Sequence, residues 1–272
     1  MRLLANGYVR LFGGKRFYRW NQRLLNLAVR GMGVGNPSTD LIGESEGRLL
    51  RRLAAVPDLT VFDVGAHVGE YASQVRKLCP RARIWSFEPH PASFRELKKV
   101  ADRDGFEAVN VALSDVSGSA SLYDHALAAA GVGSAHASLH AQVIERIHHG
   151  QSMKHDVNVT TVDEFMQVNT VERLTLLKVD AEGHELAILR GAKQAIDAGA
   201  VDLVQFEFNE MNVMSRVFFK DFYDALPGFT LYRMVSDGLA KVGPYQPRTH
   251  ELFILQNVVA IRDDVEYGAA LV

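Results

Sequence analysis

Acidic residues are missing from the first 39 positions of this 272-residue chain, where Asp40 is the first carboxylate. The same stretch holds Arg2, Arg10, Lys15, Arg16, Arg19, Arg23 and Arg30. Cysteine is nearly missing too: Cys79 stands alone, which excludes an internal disulfide and fits a reducing compartment. No apolar run reaches the roughly 18–20 residues of a membrane span, and no signal-peptide core opens the chain. A cytoplasmic protein is therefore expected, with the inner face of the membrane as a peripheral location. A net charge of −2 gives no overall reason to expect nucleic acid, and 47% hydrophobic residues with 23% charged exclude disorder. There is no internal repeat and no low-complexity tract.

Within the basic stretch, Tyr8, Phe12, Phe17, Tyr18 and Trp20 are interleaved with the cations, and Leu24, Leu25, Leu27 and Val29 follow at helical spacing. Such a segment suits an anionic membrane surface or an anionic lipid-linked substrate. The plainer expectation is a helical pair packed over the core with its arginines solvated or paired. Gly31, Gly33, Gly35 and Pro37 break the helix, dividing the chain into a helical appendage, 1–42, and a catalytic domain, 43–272.

The chain is organised around residues 59 to 90. Val61, Phe62 and Val64 form an apolar run carrying Asp63 and ending in Gly65 and Gly69, followed by an amphipathic stretch through Val75 and Leu78. A second run, Ile84, Trp85 and Phe87, ends in Glu88. Strand, glycine turn, helix and strand with an acidic end make a nucleotide-binding βαβ half. A dinucleotide site wants Gly-x-Gly-x-x-Gly against a pyrophosphate, and that motif is missing. Instead Asp63 and Glu70 bracket the turn, and two carboxylates suit a ligand with an ammonium and a sulfonium, such as S-adenosylmethionine (SAM). Gly65 then allows close approach of the backbone, and Glu88 accepts hydrogen bonds from the ribose hydroxyls.

Glu44 to Ala55 reads as a helix into the first strand, Pro91 to Ala101 as a helix, and Glu107 to Leu113 as a third strand ending in Ser114 and Asp115. In a SAM fold that end lies beside the adenine, which makes Asp115 an acceptor for the adenine amino group; the other reading of Ser-Asp is a turn opener. Ser119 to Tyr123 and Val157 to Val162 alternate like strands. The stretch between them, bounded at 124–156, is not needed by a basic α/β fold and is a candidate substrate cover. Inside it Ala137 to His149 reads as a helix, and His136 and His140 have a metal-compatible spacing, although a solvated pair is the simpler reading.

Leu174 to Asp180 is a fourth strand, followed by Glu182, Gly183, His184 and Glu185 and a helix from Leu186 to Ala195. Carboxylates at a strand's C-terminal end sit where open α/β sheets place ligands. Glu185 is better read as a helix cap, and Asp180 as facing the reaction centre. Val201 to Phe208 is a fifth strand that brings Glu207 and Asn209 to the same edge. Phe218 to Leu226 is a helix, Gly228 to Val235 a sixth strand, and Glu251 to Ile261 a seventh.

Val-Phe-Asp-Val-Gly-Ala-His-Val-Gly-Glu-Tyr, Phe-Glu-Pro, Ala-Leu-Ser-Asp and Leu-Leu-Lys-Val-Asp-Ala-Glu-Gly-His-Glu, in this order from about residue 60 to 210, resemble the FkbM family of SAM-dependent methyltransferases. His67 stands where that family commonly has Asn. The resemblance implies a class I methyltransferase fold, a Rossmann-like doubly wound, mostly parallel seven-stranded sheet, and methyl transfer to a hydroxyl of a sugar or a polyketide. The cofactor-binding set is then Asp63, Gly65, His67, Gly69, Glu70, Glu88, Ser114, Asp115 and Asp180. Since the acceptor must lose a proton, His184 and Asp180 are the first candidates for a base, with Glu207 third. A divalent metal such as magnesium, held by Asp180, Glu182 or Glu207, is the alternative route to an acidified hydroxyl. The expected partners are a small-molecule or glycan acceptor, lipid-linked if the basic arm binds it, and a second copy of the chain in a homo-oligomer. Two rival functions are a nicotinamide-dependent oxidoreductase and a non-catalytic scaffold acting through the basic arm.

Overall fold

Runs rich in Val, Ile, Leu and Phe become central strands here because helices bury both of their faces. The computed structural model describes residues 2–35, 39–125, 137–139 and 152–272. Helices α1 (Arg2–Phe12) and α2 (Tyr18–Gly31) meet across a 3-10 turn at Lys15–Phe17, and α3 (Thr39–Leu53) leads into β1 (Thr60–Val64). There follow α4 (Glu70–Leu78), β2 (Arg83–Phe87), α5 (Pro91–Asp104) and β3 (Glu107–Val109). A small sheet is made by β4 (Ala112–Leu113), β5 (Gly118–His125) and β6 (Ser152–Thr160). The chain re-enters the main sheet through α6 (Val162–Val168), β7 (Leu174–Val179), α7 (Glu185–Arg190), α8 (Lys193–Asp197) and β8 (Val201–Phe208). It ends with α9 (Met211–Ser215), α10 (Phe219–Ala225), β9 (Phe229–Val235), β10 (Gly238–Lys241), α11 (Pro247–His250) and β11 (Gln256–Arg262).

The main sheet runs β10-β9-β11-β8-β7-β1-β2-β3. From β1 the chain winds out through β2 and β3, then returns to add β7 and β8 on the other side, all in parallel. Between β1 and β7 the winding reverses, and α/β sheets open their ligand crevice at such a switch. β11 runs antiparallel to both β8 and β9. This is the class I methyltransferase architecture, with β11 as its antiparallel insert.

Two apolar layers hold the sheet. On one face Val61, Ile84, Leu176, Leu203 and Val259 pack under Leu49, Leu50 and Leu53 of α3, Val75 of α4 and Leu97 of α5. On the other, Phe62, Phe87, Leu177, Val204 and Phe206 pack against Met166 of α6, Ile188 of α7, Ile196 of α8 and Phe222 of α10. The Phe206 and Phe222 rings stack at 4.3 Å, nearly parallel.

Several sequence expectations need correction. The sheet has eight strands rather than seven, because Gly238–Lys241 turns back on β9 as an added edge. The third strand breaks at Asn110, whose side-chain amide donates to the carbonyls of Glu88 (2.8 Å) and Pro89 (3.1 Å). The chain turns there, and Ala112–Leu113 leave the main sheet to pair with β6. β6 stops at Thr160, since the Thr161 hydroxyl accepts from the Glu164 N–H at 3.0 Å and starts a helix. The helix expected over Leu186 to Ala195 divides in two around Gly191. α1 and α2 do not pack over the core: along α2 only Val29 is buried. The helix expected at Ala137 to His149 and the pair His136 and His140 lie outside the described residues, apart from 137–139.

Truncating a fully buried, stacked ring leaves a cavity whose cost is about 3–5 kcal/mol. Phe206→Ala should lower the urea-unfolding free energy by about that much while far-UV dichroism stays native. A loss below about 0.5 kcal/mol, the size of an ordinary surface change, would mean that the two layers are not packed as described.

Candidate active site

The glycine turn after β1 forms because no side chain fits there. Gly65 has φ +76°, and a Cβ on it would lie 1.8 Å from the Asp180 carbonyl oxygen at the end of β7. The Gly65 and Ala66 N–H groups both donate to the Phe87 carbonyl at 3.0 Å, tying the turn to the end of β2. His67 and Gly69 are also left-handed, at φ +48° and +88°, and the turn runs straight into α4.

Glu88 is buried below this turn. One carboxylate oxygen accepts from the His67 N–H at 2.9 Å and the other from the His90 N–H at 2.7 Å. Burial pushes its pKa up to about 7, against the pull of those two N–H donors. Each oxygen keeps a second lone pair for a ligand hydroxyl. A narrow cavity of about 60 Å³ opens here, with Gly65, His67, Glu88, Leu113, Asp180 and His184 in its walls and Ala137 and Leu139 also lining it. Ser138, between those two, pairs with the Tyr123 backbone and donates through its hydroxyl to the Glu182 carbonyl at 2.9 Å. Glu182 lines this cavity, and so does His184, whose Nε2 is 2.8 Å from the Ser114 hydroxyl. Asp115 is exposed, 3.0 Å from the same hydroxyl, and lies outside the cavity wall.

A wider pocket of about 430 Å³ opens on the α3 and α4 side, with Glu46, Glu70, Tyr71, Lys178, Asp180 and Glu207 in its walls. Gly65, His67 and Asp180 belong to the walls of both cavities. Strand register sets a polar row beneath this pocket: Asp63, Lys178 and Gln205 are cross-strand partners on β1, β7 and β8. Side chains two residues along a strand share a face, so Gly65, Asp180 and Glu207 form the next row up, with Asn257 paired to Glu207.

This pocket is rich in carboxylates. The Lys178 ammonium lies 3.4 Å from Asp63 and 3.3 Å from Asp180. Burial lowers its pKa, but Asp180, Asp63, Glu46 and Glu207 outweigh that and hold it above the ordinary lysine value. Glu207 is pushed well above the carboxylate range, first by burial and then by Asp180 and Glu182, with Lys178 opposing. Glu46 is raised by burial and accepts from the Gln205 amide at 2.7 Å, while the Tyr71 hydroxyl donates to the other end of that amide at 3.2 Å.

The structure thus brings Gly65, His67, Glu88, Asp180, Glu182 and His184 to one cavity, and Gly65, His67, Glu70, Asp180 and Glu207 to the other. Gly69 shapes the turn as the N-cap of α4. Asp63 lines neither cavity and instead sits fully buried against Lys178. Glu185 accepts from the Ala181 and Gly183 N–H groups at 3.0 and 3.1 Å, the helix-start role expected of it. Among the described residues no three of His, Cys, Asp and Glu gather as metal ligands. Sequence reading missed Lys178, Gln205, Glu46 and Tyr71. Lys178 and Gln205 had a signal, being polar residues inside largely apolar strands; Glu46, on an amphipathic helix, had none.

The family profile described as methyltransferase FkbM domain matches residues 63–229. Hexuronic acid methyltransferase AglP of Haloferax volcanii is 29% identical over 164 residues, covering 58% of this chain and 60% of that protein. Methyltransferase 1 of Beauveria bassiana is 29% identical over 152 residues, covering 49% and 58%. The chain thus spans about three-fifths of the length of these relatives. A crystal structure of methyltransferase FkbM from Methylobacillus flagellatus is similar at 13% identity and a TM-score of 0.45, covering 75% of this chain and 43% of that one.

Removing one partner of a buried ion pair strands the other charge, at about 3–5 kcal/mol. Lys178→Met should therefore destabilise the protein by about that amount in chemical denaturation, and adding Asp63→Asn should recover part of the loss. If Lys178→Met alone is neutral, the ammonium does not neutralise Asp63.

Proposed function

Because the chain belongs to the FkbM methyltransferase family, we propose that it is a SAM-dependent O-methyltransferase acting on a sugar hydroxyl. The observation that carries this reading is the pair of cavities that share Gly65, His67 and Asp180. One is narrow and has a buried carboxylate at its base; the other is wide and polar. The residues fit the cofactor. Backbone alone faces the ligand at Gly65, Glu88 keeps lone pairs for ribose hydroxyls, and Asp180 and Glu70 offer negative charge to an ammonium. The place of Ala137 and Leu139 in the wall of the narrow cavity supports a cover role for the stretch 124–156.

When bound, SAM supplies an electrophilic methyl group on a sulfonium. The chain's part is to align the acceptor oxygen with that methyl and to take its proton. Glu207 is the base we favour. It faces the wide pocket, and a carboxylate raised by burial and by neighbouring carboxylates accepts a proton more readily near neutral pH than an ordinary one. His184, the first choice from sequence, is held by Ser114 on the narrow cavity, where it is better suited to the adenosyl side. Asp180 stands between the two cavities and is committed to Lys178.

The acceptor class follows from charge. Glu46, Glu70, Asp180 and Glu207 face the wide pocket, while Lys178 is already shared by Asp63 and Asp180. A neutral, hydroxyl-rich sugar finds hydrogen-bond acceptors there, and an anion meets repulsion. The Haloferax relative, named for a hexuronic acid, supports a sugar acceptor but not the preference for a neutral one, which rests on the charge of this pocket alone.

Ribose hydroxyls donate to ionised Glu88, whose pKa in the free protein is about 7. The ionised fraction falls as pH drops below that value, so SAM affinity should rise with pH through about 7 and level off above it. Calorimetric titration with SAM, S-adenosylhomocysteine and NAD checks this. Glu88→Gln should bind the adenosyl compounds at least tenfold more weakly, with the pH dependence gone. Binding of NAD but of neither adenosyl compound would remove the reading altogether.

A further inference from the structure

The first two helices have no place in the catalytic fold. Every residue with described side-chain exposure from Leu3 to Ala28 is exposed or half-buried. Val9 is 64% exposed, Leu11 67%, Leu25 62% and Leu27 67%, an amount of bare aliphatic surface that soluble domains usually cover. The hairpin is nevertheless well defined by its own contacts. Phe12 packs its ring against Tyr8, Phe17 and Trp20 at 5.2, 5.2 and 5.5 Å. The Asn21 amide donates to the Phe12 carbonyl at 2.9 Å, closing the elbow.

Charge is sorted as sharply as hydropathy. Residues 1–39 carry seven cations and no anion, which leaves −9 on the rest of a chain whose net charge is −2. On α2, Arg19, Arg23 and Arg30 fall on one face and Leu24, Leu25 and Ala28 on the opposite one. α2 is anchored at its end only. Val29 and Val34 are buried, Val34 bridges to Gln256, and the Gly35 N–H donates to the Leu255 carbonyl at 2.8 Å. Leu255 is part of the wall of the wide pocket, so the basic hairpin projects from beside that pocket's rim.

We propose that α1 and α2 form a monotopic membrane anchor that binds the surface of an anionic lipid bilayer, with the leucines and aromatics in the interfacial layer and the arginines at the lipid phosphates. Helices of this composition lie in the plane of an interface, held jointly by buried apolar area and by attraction to anionic headgroups. A second copy of the chain is a poor occupant, because pairing two such hairpins brings together Lys15, Arg16, Arg19 and Arg23 from each side. The anchor is independent of the identity of the methyl acceptor, and it sets the mouth of the wide pocket next to the membrane.

The test is co-sedimentation of the full chain with vesicles of phosphatidylcholine alone and of phosphatidylcholine with phosphatidylglycerol, at low and high salt. Binding to the anionic vesicles should exceed binding to the neutral ones at least tenfold and weaken as salt rises. The triple charge reversal of Arg16, Arg19 and Arg23 to Glu should abolish it. Leu25→Ser with Leu27→Ser should weaken it, and both variants should keep the native dichroism and the native SAM titration. Failure of the intact chain to bind anionic vesicles overturns the proposal. So does binding that is indifferent to charge reversal, or a concentration-dependent dimer that the leucine substitutions dissolve. A protein that binds vesicles but not SAM would retain the anchor and lose the methyltransferase reading, and the converse result would do the opposite.

Discussion

A single ammonium inside the sheet holds the arrangement together. Lys178 lies in the middle strand between Asp63 and Gln205, and its charge is what allows Asp63 to be fully buried in β1. An unpaired carboxylate in that position would be expelled or neutralised. The row also specifies register, because a one-residue slip of β7 would turn Lys178 into the phenylalanine layer on the opposite face. With the register set, the row above it is set too: Gly65 beneath the Asp180 carbonyl, Asp180 beside Glu207, and Glu207 opposite Asn257. The row that lines the wide pocket therefore takes its position from the buried row two residues before it.

Much of this was legible in the sequence. The apolar runs at Val61–Val64, Ile84–Phe87 and Leu174–Val179 could be read as strands because they are short, rich in aliphatic and aromatic residues and closed by turn chemistry. Their acidic ends, Glu88 and Asp180, line the crevice because doubly wound sheets expose strand C-termini there. Glu185 could be read as a cap from its place at a helix start. What stayed hidden needed tertiary information. Asp63 looked like a ligand group because the motif places it next to the glycine turn, yet it lies one step below the pocket row on the same face, buried against Lys178. The third strand read as continuous because periodicity does not reveal that the Asn110 amide is drawn to the Glu88 and Pro89 carbonyls. Glu46 could not be found, since it joins the site only after α3 packs across β8 through Gln205.

Opposite charges are kept apart across the molecule. Carboxylates crowd the wide pocket, where they raise one another's pKa and hold Lys178 protonated, and residues 1–39 carry seven cations and no anion. The same surplus of carboxylate that favours a cationic cofactor and an uncharged acceptor would repel an anionic bilayer, so membrane contact needs a basic element set apart from the domain. The exposed hairpin fills that description, and its attachment beside Leu255 joins the two regions without mixing their fields.

In the proposed reaction the wide pocket carries a sugar hydroxyl whose proton passes to Glu207 as the methyl is transferred. The most direct measurement is incubation of the protein and its Glu207→Gln variant with SAM labelled in the methyl carbon and a panel of neutral glycosides and glycuronosides, followed by magnetic resonance of the products before and after mild alkali. The account predicts label in an alkali-stable ether on a neutral glycoside, with a rate reduced about 10²–10⁴-fold in the variant, as for loss of a general base. Label confined to an alkali-labile ester of a glycuronoside, or a variant as fast as the parent, would contradict it.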